Sequence, residues 1–210
     1  MIGKKIKKAI KEKAILNYRV VAGLQKGEVW IVPTDTLYGI VTTTLRKKSV
    51  ERVYRLRNRD YKKPCIILTA SIEDIARMGV VVSPQLYRFL KKIWPGSVSV
   101  VLKVSKKTPF YLHRGTYSLA FRIPRNDALR KLIKKTGPLI APSANPQGAL
   151  PARSASEAIT YFGDLVDGYV IGKSQNKKPS TLISWNEGRL VLLRKGVIAF
   201  SLLKQKVKEF

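Results

Sequence analysis

Short apolar runs alternate with amphipathic segments along almost the whole chain, and this alternation restricts the fold more than any other feature of the sequence. Apolar runs that end at proline, glycine or small polar residues are typical of buried strands. Segments with apolar residues three and four positions apart, preceded by serine or asparagine, are typical of helices that bury one face. Because the two kinds of segment interleave, we predict an α/β fold with an open, twisted, mixed sheet and flanking helices.

Several of the expected helices begin at recognisable capping residues. Ser71 is followed by Asp74 and Ser154 by Glu157, which is the spacing of a capping box. Ser83 precedes a proline, which suits the first turn of a helix. The predicted helices cover approximately residues 14–26, 49–57, 85–93, 127–135 and 154–162, with further helices starting near 71 and 201, and the predicted strands cover 28–32, 65–68, 98–104, 119–123, 139–141, 169–171, 181–184 and 190–193.

The length and composition predict one domain. The 210 residues are 45% hydrophobic and contain neither a repeat nor a linker, so we assign residues 14–210 to a single domain preceded by a basic arm over residues 1–13. No apolar run approaches the roughly 20 residues that span a bilayer, and no apolar segment follows the charged N-terminus as in a secretory signal. A lone Cys65 excludes an internal disulfide. We therefore expect a cytoplasmic protein without a membrane partner.

The charge balance is strongly one-sided. There are 41 Lys and Arg against 13 Asp and Glu, a net charge of +28, which favours polyanionic partners such as RNA, a nucleoside triphosphate, or both. The scarcity of carboxylates argues against paired-carboxylate hydrolysis and acidic metal sites, and the single His113 excludes a histidine cluster. Neither the phosphate-loop nor the dinucleotide-binding glycine motif occurs. If the protein binds ATP, scattered basic residues must hold it.

Polar residues follow the apolar run that ends at Val32. Pro33 should stop this strand, since it lacks a backbone N–H, and the segment Thr34–Gly39 that follows is either an ordinary turn or the wall of a cavity. Four further patches place small polar or basic residues at the ends of apolar runs, at residues 57–64, 118–122, 141–145, and 179–181 with 193–196. Runs of charge are usually solvated, but Arg122 ends an apolar strand, where an unpaired charge is costly.

In order and spacing, these patches together with Trp94-Pro95-Gly96 resemble the YrdC-like L-threonylcarbamoyladenylate synthases, over about residues 16–197. The resemblance implies a single YrdC-like domain with a basic central cavity. It also implies a nucleotidyltransferase that uses ATP, L-threonine and bicarbonate or CO2, releases pyrophosphate, and serves threonylcarbamoyladenosine modification of transfer RNA. Mg²⁺ is expected with the phosphates, and a threonylcarbamoyl-transferase machinery is expected downstream.

The resemblance also assigns candidate residues. The ATP contacts it implies are Arg57, Arg59, Lys63, Ser118, Ser143, Asn145 and Arg194, and the threonine contacts are Thr36, Arg122, Ala141 and Ser180. We assign no nucleophile or base, because positioning and charge neutralisation can carry such a reaction. Two positions depart from the family: Arg57 replaces a usual lysine, and Leu68 replaces a histidine of the longer members.

Two alternative functions stay open at this point. The first is a non-catalytic module on the same fold that binds transfer RNA or double-stranded RNA. The net charge of +28 and the replacement of the family lysine by Arg57 in the basic segment 57–64 favour this alternative. The second is the carbamoyl-adenylate chemistry of hydrogenase-maturation proteins. We place it last, because those proteins are much longer and carry zinc-finger cysteines that this chain lacks.

Overall fold

The computed structural model describes residues 10–174, 176 and 178–208. Within them the strands are β1 Ile10–Glu12, β2 Trp30–Val32, β3 Gly39–Thr43, β4 Ile66–Leu68, β5 Val98–Lys103, β6 Ser118–Arg122, β7 Leu139–Ile140, β8 Gly168–Val170, β9 Thr181–Asn186 and β10 Arg189–Arg194. The helices are α1 Tyr18–Lys26, α2 Lys47–Leu56, α3 Ile72–Arg77, α4 Pro84–Ile93, α5 Phe110–His113, α6 Asp127–Thr136, α7 Ala155–Phe162 and α8 Phe200–Lys208, with a 3₁₀ turn at Gly163–Leu165.

All ten described strands join one sheet in the order β1-β8-β2-β3-β7-β4-β6-β5-β9-β10. Four neighbouring pairs are parallel, namely β1 with β8, β8 with β2, β4 with β6, and β5 with β9. The remaining neighbours are antiparallel. The prediction of an α/β fold with a mixed sheet is therefore confirmed.

The two faces of the sheet are covered unequally. Alternate residues of β2 point to opposite faces, so Ile31 joins the larger core with α2, α3, α4 and α7, whereas Trp30 and Val32 join a smaller core beneath α1 and α6. Beyond these two helices the second face is open, and Val101 and Leu182 on it are partly exposed. The candidate site lies on this less covered face.

The helix starts agree with the predicted caps in some places and differ in others. The capping box of α3 is present, since Ser71 Oγ accepts from the Asp74 N–H at 3.2 Å and Asp74 Oδ2 from the Ser71 N–H at 3.1 Å. Helix α1 begins later than predicted, because Asn17 caps it. Ser49 is not a cap: α2 already begins at Lys47, and Ser49 Oγ donates to the Gly27 carbonyl at 2.6 Å.

Part of the segment that we assigned to a basic arm belongs to the sheet. Residues 10–12 form β1, an edge strand that pairs in parallel with β8. Charged residues are common on edge strands, where they discourage pairing with other chains. Residues 1–9 lie outside the described part of the chain, and the basic arm stays a prediction for them.

Candidate active site

A cavity of about 280 Å³ lies where the loops after β2, α2 and β7 meet the start of β4, the end of β6, the segment just before β9 and the end of β10. Its wall combines guanidinium groups, hydroxyl groups and the edges of three prolines. The lining residues are Thr34, Thr36, Leu37, Tyr38, Gly39, Arg57, Arg59, Ile66, Arg122, Ala141, Pro142, Ser143, Pro151, Pro179, Ser180 and Arg194. The list contains four arginines and no carboxylate.

The segment after Pro33 is both a turn and a wall of the cavity. Thr34 Oγ1 donates to the Leu37 carbonyl at 2.7 Å and accepts from the Thr36 N–H at 3.0 Å, so the threonine side chain closes the turn. The hydroxyls of Thr34 and Thr36 lie 3.1 Å apart. The two interpretations that the sequence left open are thus both correct, because the groups that stabilise the turn also face the cavity.

Arg122 is held by a buried carboxylate. Its Nη1 donates to Asp35 Oδ1, and only 5% of the arginine side chain and 1% of the aspartate side chain are exposed. Nη2 points at Thr36 Oγ1, 3.4 Å away, while Nε is buried without a partner among the described residues. Asp35 Oδ2 is fixed by the Arg125 N–H at 3.1 Å. Asp35 therefore orients Arg122, and an N–H of Arg122 is still without an acceptor.

Arg57 holds the polar turn after β7. Its Nε donates to the Asn145 carbonyl at 2.8 Å, and Nη2 lies 3.4 Å from Ser143 Oγ. Nη1 is buried and unpaired among the described residues. Burial, followed by the charge of Arg59, lowers the pKa of Arg57 to about 10, at which the guanidinium is still charged at neutral pH. A buried cation with a free donor is suited to bind an anion.

Arg59 and Arg194 also line the cavity. Arg59 is steadied by its own loop, since Nε donates to the Lys63 carbonyl at 3.0 Å and Nη2 to the Pro64 carbonyl at 2.8 Å. Much of Arg194 is exposed, but its guanidinium is turned inward, and Nη2 donates to the Ser180 carbonyl at 2.9 Å. Burial, then the charges of Arg122 and Arg59, lower the pKa of Arg194. The arginines thus repel one another across a space that contains no carboxylate.

Ser180 sits where two backbone segments touch. A Cβ on Gly196 would lie 2.3 Å from the Thr181 nitrogen and 2.4 Å from the Pro179 carbonyl oxygen, so only glycine permits this approach. The contact places the end of β10, with Arg194, beside the start of β9. The Ser180 side chain is buried, and its Oγ accepts from Arg194 Nη2 at 3.1 Å.

Three residues that we predicted for the site do not line the cavity. The Lys63 side chain is 65% exposed and pairs with Asp60. Ser118 faces the same way as Arg122 but lies four residues earlier on β6, about 13 Å along the strand. Asn145 is buried, and its amide donates to the carbonyls of Pro146 and Ala149, both at 2.8 Å. The remaining eight predicted residues line the cavity together: Arg57, Arg59, Ser143, Arg194, Thr36, Arg122, Ala141 and Ser180.

Sequence reasoning missed several groups that shape the site. Asp35 is not among the residues that we predicted for the site, but it pairs with Arg122. Tyr38, which is also not among the predicted site residues, is fully buried yet lines the cavity, and its hydroxyl accepts from the Gly172 N–H at 3.0 Å. Ser99 was overlooked. A signal for it existed, because it is a single hydroxyl residue within the apolar run of β5.

Two further observations concern the described residues as a whole. They contain no group of three or more His, Cys, Asp or Glu side chains placed to hold a metal ion. None of the helices in this part of the chain combines the length and apolarity needed to cross a bilayer.

Comparison with known proteins identifies the family. A family model for Sua5, YciO and YrdC, described as telomere recombination, matches residues 22–196. A threonylcarbamoyl-AMP synthase of Pyrococcus abyssi is 29% identical over 197 residues, which are 91% of this chain and 57% of that protein. A threonylcarbamoyl-AMP synthase of Marinobacter nauticus is 31% identical over 160 residues, covering 75% of this chain and 84% of the relative.

A solved structure resembles the whole described fold. The crystal structure of P. abyssi Sua5 complexed with L-threonine superposes with a TM-score of 0.87 at 25% identity, over 97% of this chain and 62% of the other. The chain thus spans little more than half the length of the P. abyssi relative. Since the family model covers most of the sequence, this chain belongs to the Sua5/YciO/YrdC family.

Proposed function

We propose that this chain is an L-threonylcarbamoyladenylate synthase that converts ATP, L-threonine and bicarbonate or CO2 into threonylcarbamoyl-AMP and pyrophosphate. One observation carries the proposal: Arg57 and Arg122 line the same cavity, and each keeps a buried guanidinium N–H without a partner among the described residues. Buried donors without a partner are rare in folded proteins, and a guanidinium matches a carboxylate or phosphate. Relatives named threonylcarbamoyl-AMP synthase, and the threonine complex of P. abyssi Sua5, support the choice of substrates.

The corner of the cavity around Arg122 would take the amino acid. Arg122 would bind the threonine carboxylate through the N–H groups that Asp35 leaves free. The hydroxyls of Thr36 and Ser180 would contact its polar atoms. The Ala141 N–H already donates to the Ile66 carbonyl at 2.8 Å, so the Ala141 carbonyl is the group offered to the substrate amine.

The rest of the cavity would take the triphosphate. Arg57, Arg59, Ser143 and Arg194 line it. Burial, and after it the repulsion from neighbouring arginines, lowers the pKa of Arg57 and Arg194, and a bound polyanion would relieve that repulsion. Asn145 would act through Arg57, whose guanidinium it positions. Direct nucleotide contacts by Lys63 and Ser118 stay predictions.

The chemistry needs no protein nucleophile. The threonine nitrogen forms a bond to the carbon of CO2, or of bicarbonate with loss of water, and loses a proton. An oxygen of the resulting carbamate attacks the α-phosphorus of ATP, and the bond from that phosphorus to pyrophosphate breaks. The arginines would neutralise the charge that accumulates and hold the reactants in contact. Enclosure would protect the carbamate from water.

Other partners follow from the same proposal. Mg²⁺ is usually bound by carboxylates and phosphates. The residues that line the cavity include no carboxylate, and the nearby Asp35 is paired with Arg122, so Mg²⁺ would be bound mainly by the phosphates of ATP. Transfer RNA modification by a downstream transferase machinery would consume the product, and this would place the protein in the cytoplasm. A purely RNA-binding module is not favoured, because the relatives are named as synthases.

The deciding experiment measures pyrophosphate release from ATP. We expect release that requires both L-threonine and bicarbonate, and isotopic carbon from bicarbonate should appear in an adenylate product. Serine and allothreonine are the matched controls, since they test whether the part of the cavity around Arg122 discriminates between substrate side chains. Release that proceeds at the same rate without threonine would contradict the proposal.

A further inference from the structure

Ser99 is a buried hydroxyl that contacts the cavity wall from behind. It lies on β5 among apolar neighbours and has no exposed surface. Its Oγ lies 2.8 Å from the Oγ of Ser180, the residue just before the adjacent strand β9. Ser99 does not line the cavity itself, so any effect that it has on a ligand passes through Ser180.

The direction of this hydrogen bond follows from a count of donors. Within the described part of the chain, Ser180 Oγ is the one hydrogen-bond partner of the Ser99 hydroxyl. A buried O–H without an acceptor is unfavourable, more so than an oxygen that lacks a second donor. Ser99 must therefore donate to Ser180. In the opposite arrangement, with Ser180 as donor, the Ser99 proton would have no acceptor.

As a consequence, the direction of the hydrogen bonds made by the Ser180 hydroxyl is fixed. A serine hydroxyl has two lone pairs and one proton. One lone pair of Ser180 accepts from Arg194 Nη2 at 3.1 Å, and the other accepts from Ser99. Only the proton is left, and the one side of Ser180 that remains for it is the cavity that it lines.

We propose that Ser99 is a positioning residue that forces the Ser180 hydroxyl to act as a hydrogen-bond donor toward the substrate. Ser180 then recognises an acceptor oxygen of the amino acid, either of its carboxylate or of its hydroxyl, and disfavours an N–H or O–H donor at that point. This inference rests on the function proposed above, in which Ser180 contacts threonine. It adds a residue behind the cavity wall and the direction of the contact.

The test compares Ser99→Ala with Ser99→Thr. Alanine removes the donor, so the Ser180 hydroxyl is free to rotate and to donate elsewhere. We expect the KM and the calorimetric Kd for L-threonine to rise about 3- to 10-fold, the effect of one lost hydrogen bond, with the KM for ATP unchanged. The Ser99→Thr variant retains the hydroxyl group, and a β-branched side chain suits a strand. This variant should therefore have the wild-type KM and Kd for the substrate. Melting temperatures verify that each variant is folded.

A second test, in the Ser180→Ala variant, distinguishes a positioning role of Ser99 from a role in packing alone. The Ser180→Ala variant lacks the hydroxyl through which Ser99 is proposed to act. Adding Ser99→Ala to it should therefore raise the KM for threonine no further. An equal additional rise in this background, or a parallel rise in the KM for ATP, would overturn the inference in favour of simple packing. An unchanged threonine KM in Ser99→Ala would also overturn it, while the synthase function stands. Absence of threonine-dependent release from the wild type would instead refute the function itself.

Discussion

At the scale of single residues, the site is organised by the need of buried charges for partners. Arg122 and Asp35 are both almost fully buried, and each compensates the charge of the other. Removing one partner of such a pair leaves an uncompensated charge in a medium of low dielectric constant, which is far more costly than removing both. The binding role of Arg122 and its structural role can therefore be separated by mutation.

Arg122→Gln should lower the free energy of unfolding by about 3 kcal/mol, because it leaves the Asp35 carboxylate unpaired. The double variant Asp35→Asn/Arg122→Gln should recover most of that loss but should still show no threonine-dependent pyrophosphate release. Urea denaturation and the release assay measure the two effects. Equal stability of the single and double variants would show that the unpaired Asp35 carboxylate is not the cause of the loss.

Arg57→Lys tests the departure from the family residue. Lysine keeps the charge but cannot donate to the Asn145 carbonyl from a guanidinium Nε, so the turn carrying Ser143 should loosen. We expect the KM for ATP to rise about tenfold, the loss of one good hydrogen bond, with the KM for threonine nearly constant. The control is Arg55→Lys, on the exposed side of α2. An unchanged KM for ATP would mean that the two cations are equivalent here.

At the scale of elements, backbone segments that are distant in sequence build the cavity by close contact. The pairing of β3 with β7 continues beyond the end of β7, where the Ile40 N–H donates to the Pro142 carbonyl at 3.0 Å. Gly39 forms a bridge with Ser143, which places that serine beside the threonine turn. On the other side, Gly196 packs against the backbone of Ser180 and Thr181. Such contacts tolerate very little added volume.

Gly196→Ala should displace Ser180, because its new methyl group would overlap backbone atoms. We expect a loss of about 2 kcal/mol in unfolding free energy and a strong loss of threonine-dependent turnover. Gly137→Ala is a useful comparison, since its Cβ meets nothing but its φ of +77° is strained. That control should lose about 1 kcal/mol and keep its activity. Normal turnover by Gly196→Ala would show that the contact does not position Ser180.

At the scale of the whole molecule, the net charge of +28 must act beyond the cavity, because four arginines account for little of it. Surface cations attract polyanions over roughly one Debye length, about 10 Å at 0.1 M salt, whereas the buried pair of Arg122 and Asp35 is screened less. Salt dependence should therefore distinguish surface contacts from the interior of the site.

Binding of transfer RNA should weaken steeply with salt, by a slope of about 0.7 to 0.9 in log K per log salt for each phosphate neutralised. The KM for threonine, a zwitterion in an enclosed corner, should change little over the same range. Fluorescence anisotropy of labelled transfer RNA and the pyrophosphate assay measure the two quantities. RNA binding that ignores salt would exclude the surface charge as its cause.

Much of the fold and part of the site follow from local sequence. Helix caps such as Ser71 with Asp74, and strands such as β5 and β6, depend on neighbours a few residues away, so periodicity and capping patterns locate them. Polar residues at strand ends, read together with the family resemblance, led to Arg57, Arg122 and Ser180. Short or charged elements such as β1 carry no comparable pattern, because an edge strand is defined by backbone pairing with a distant partner.

The sequence by itself determined which segments form strands and helices, and which polar residues stand at their ends. Only the tertiary structure decided which of those residues meet, because β7 inserts between β3 and β4, and β9 pairs with β5, across long stretches of chain. That arrangement brings Asp35 to Arg122 and Ser99 to Ser180, and leaves Lys63 in solvent. The physical reason is that hydrophobic periodicity and capping act over a few residues, whereas the pairing of charges and hydroxyls depends on the order of strands in the finished sheet.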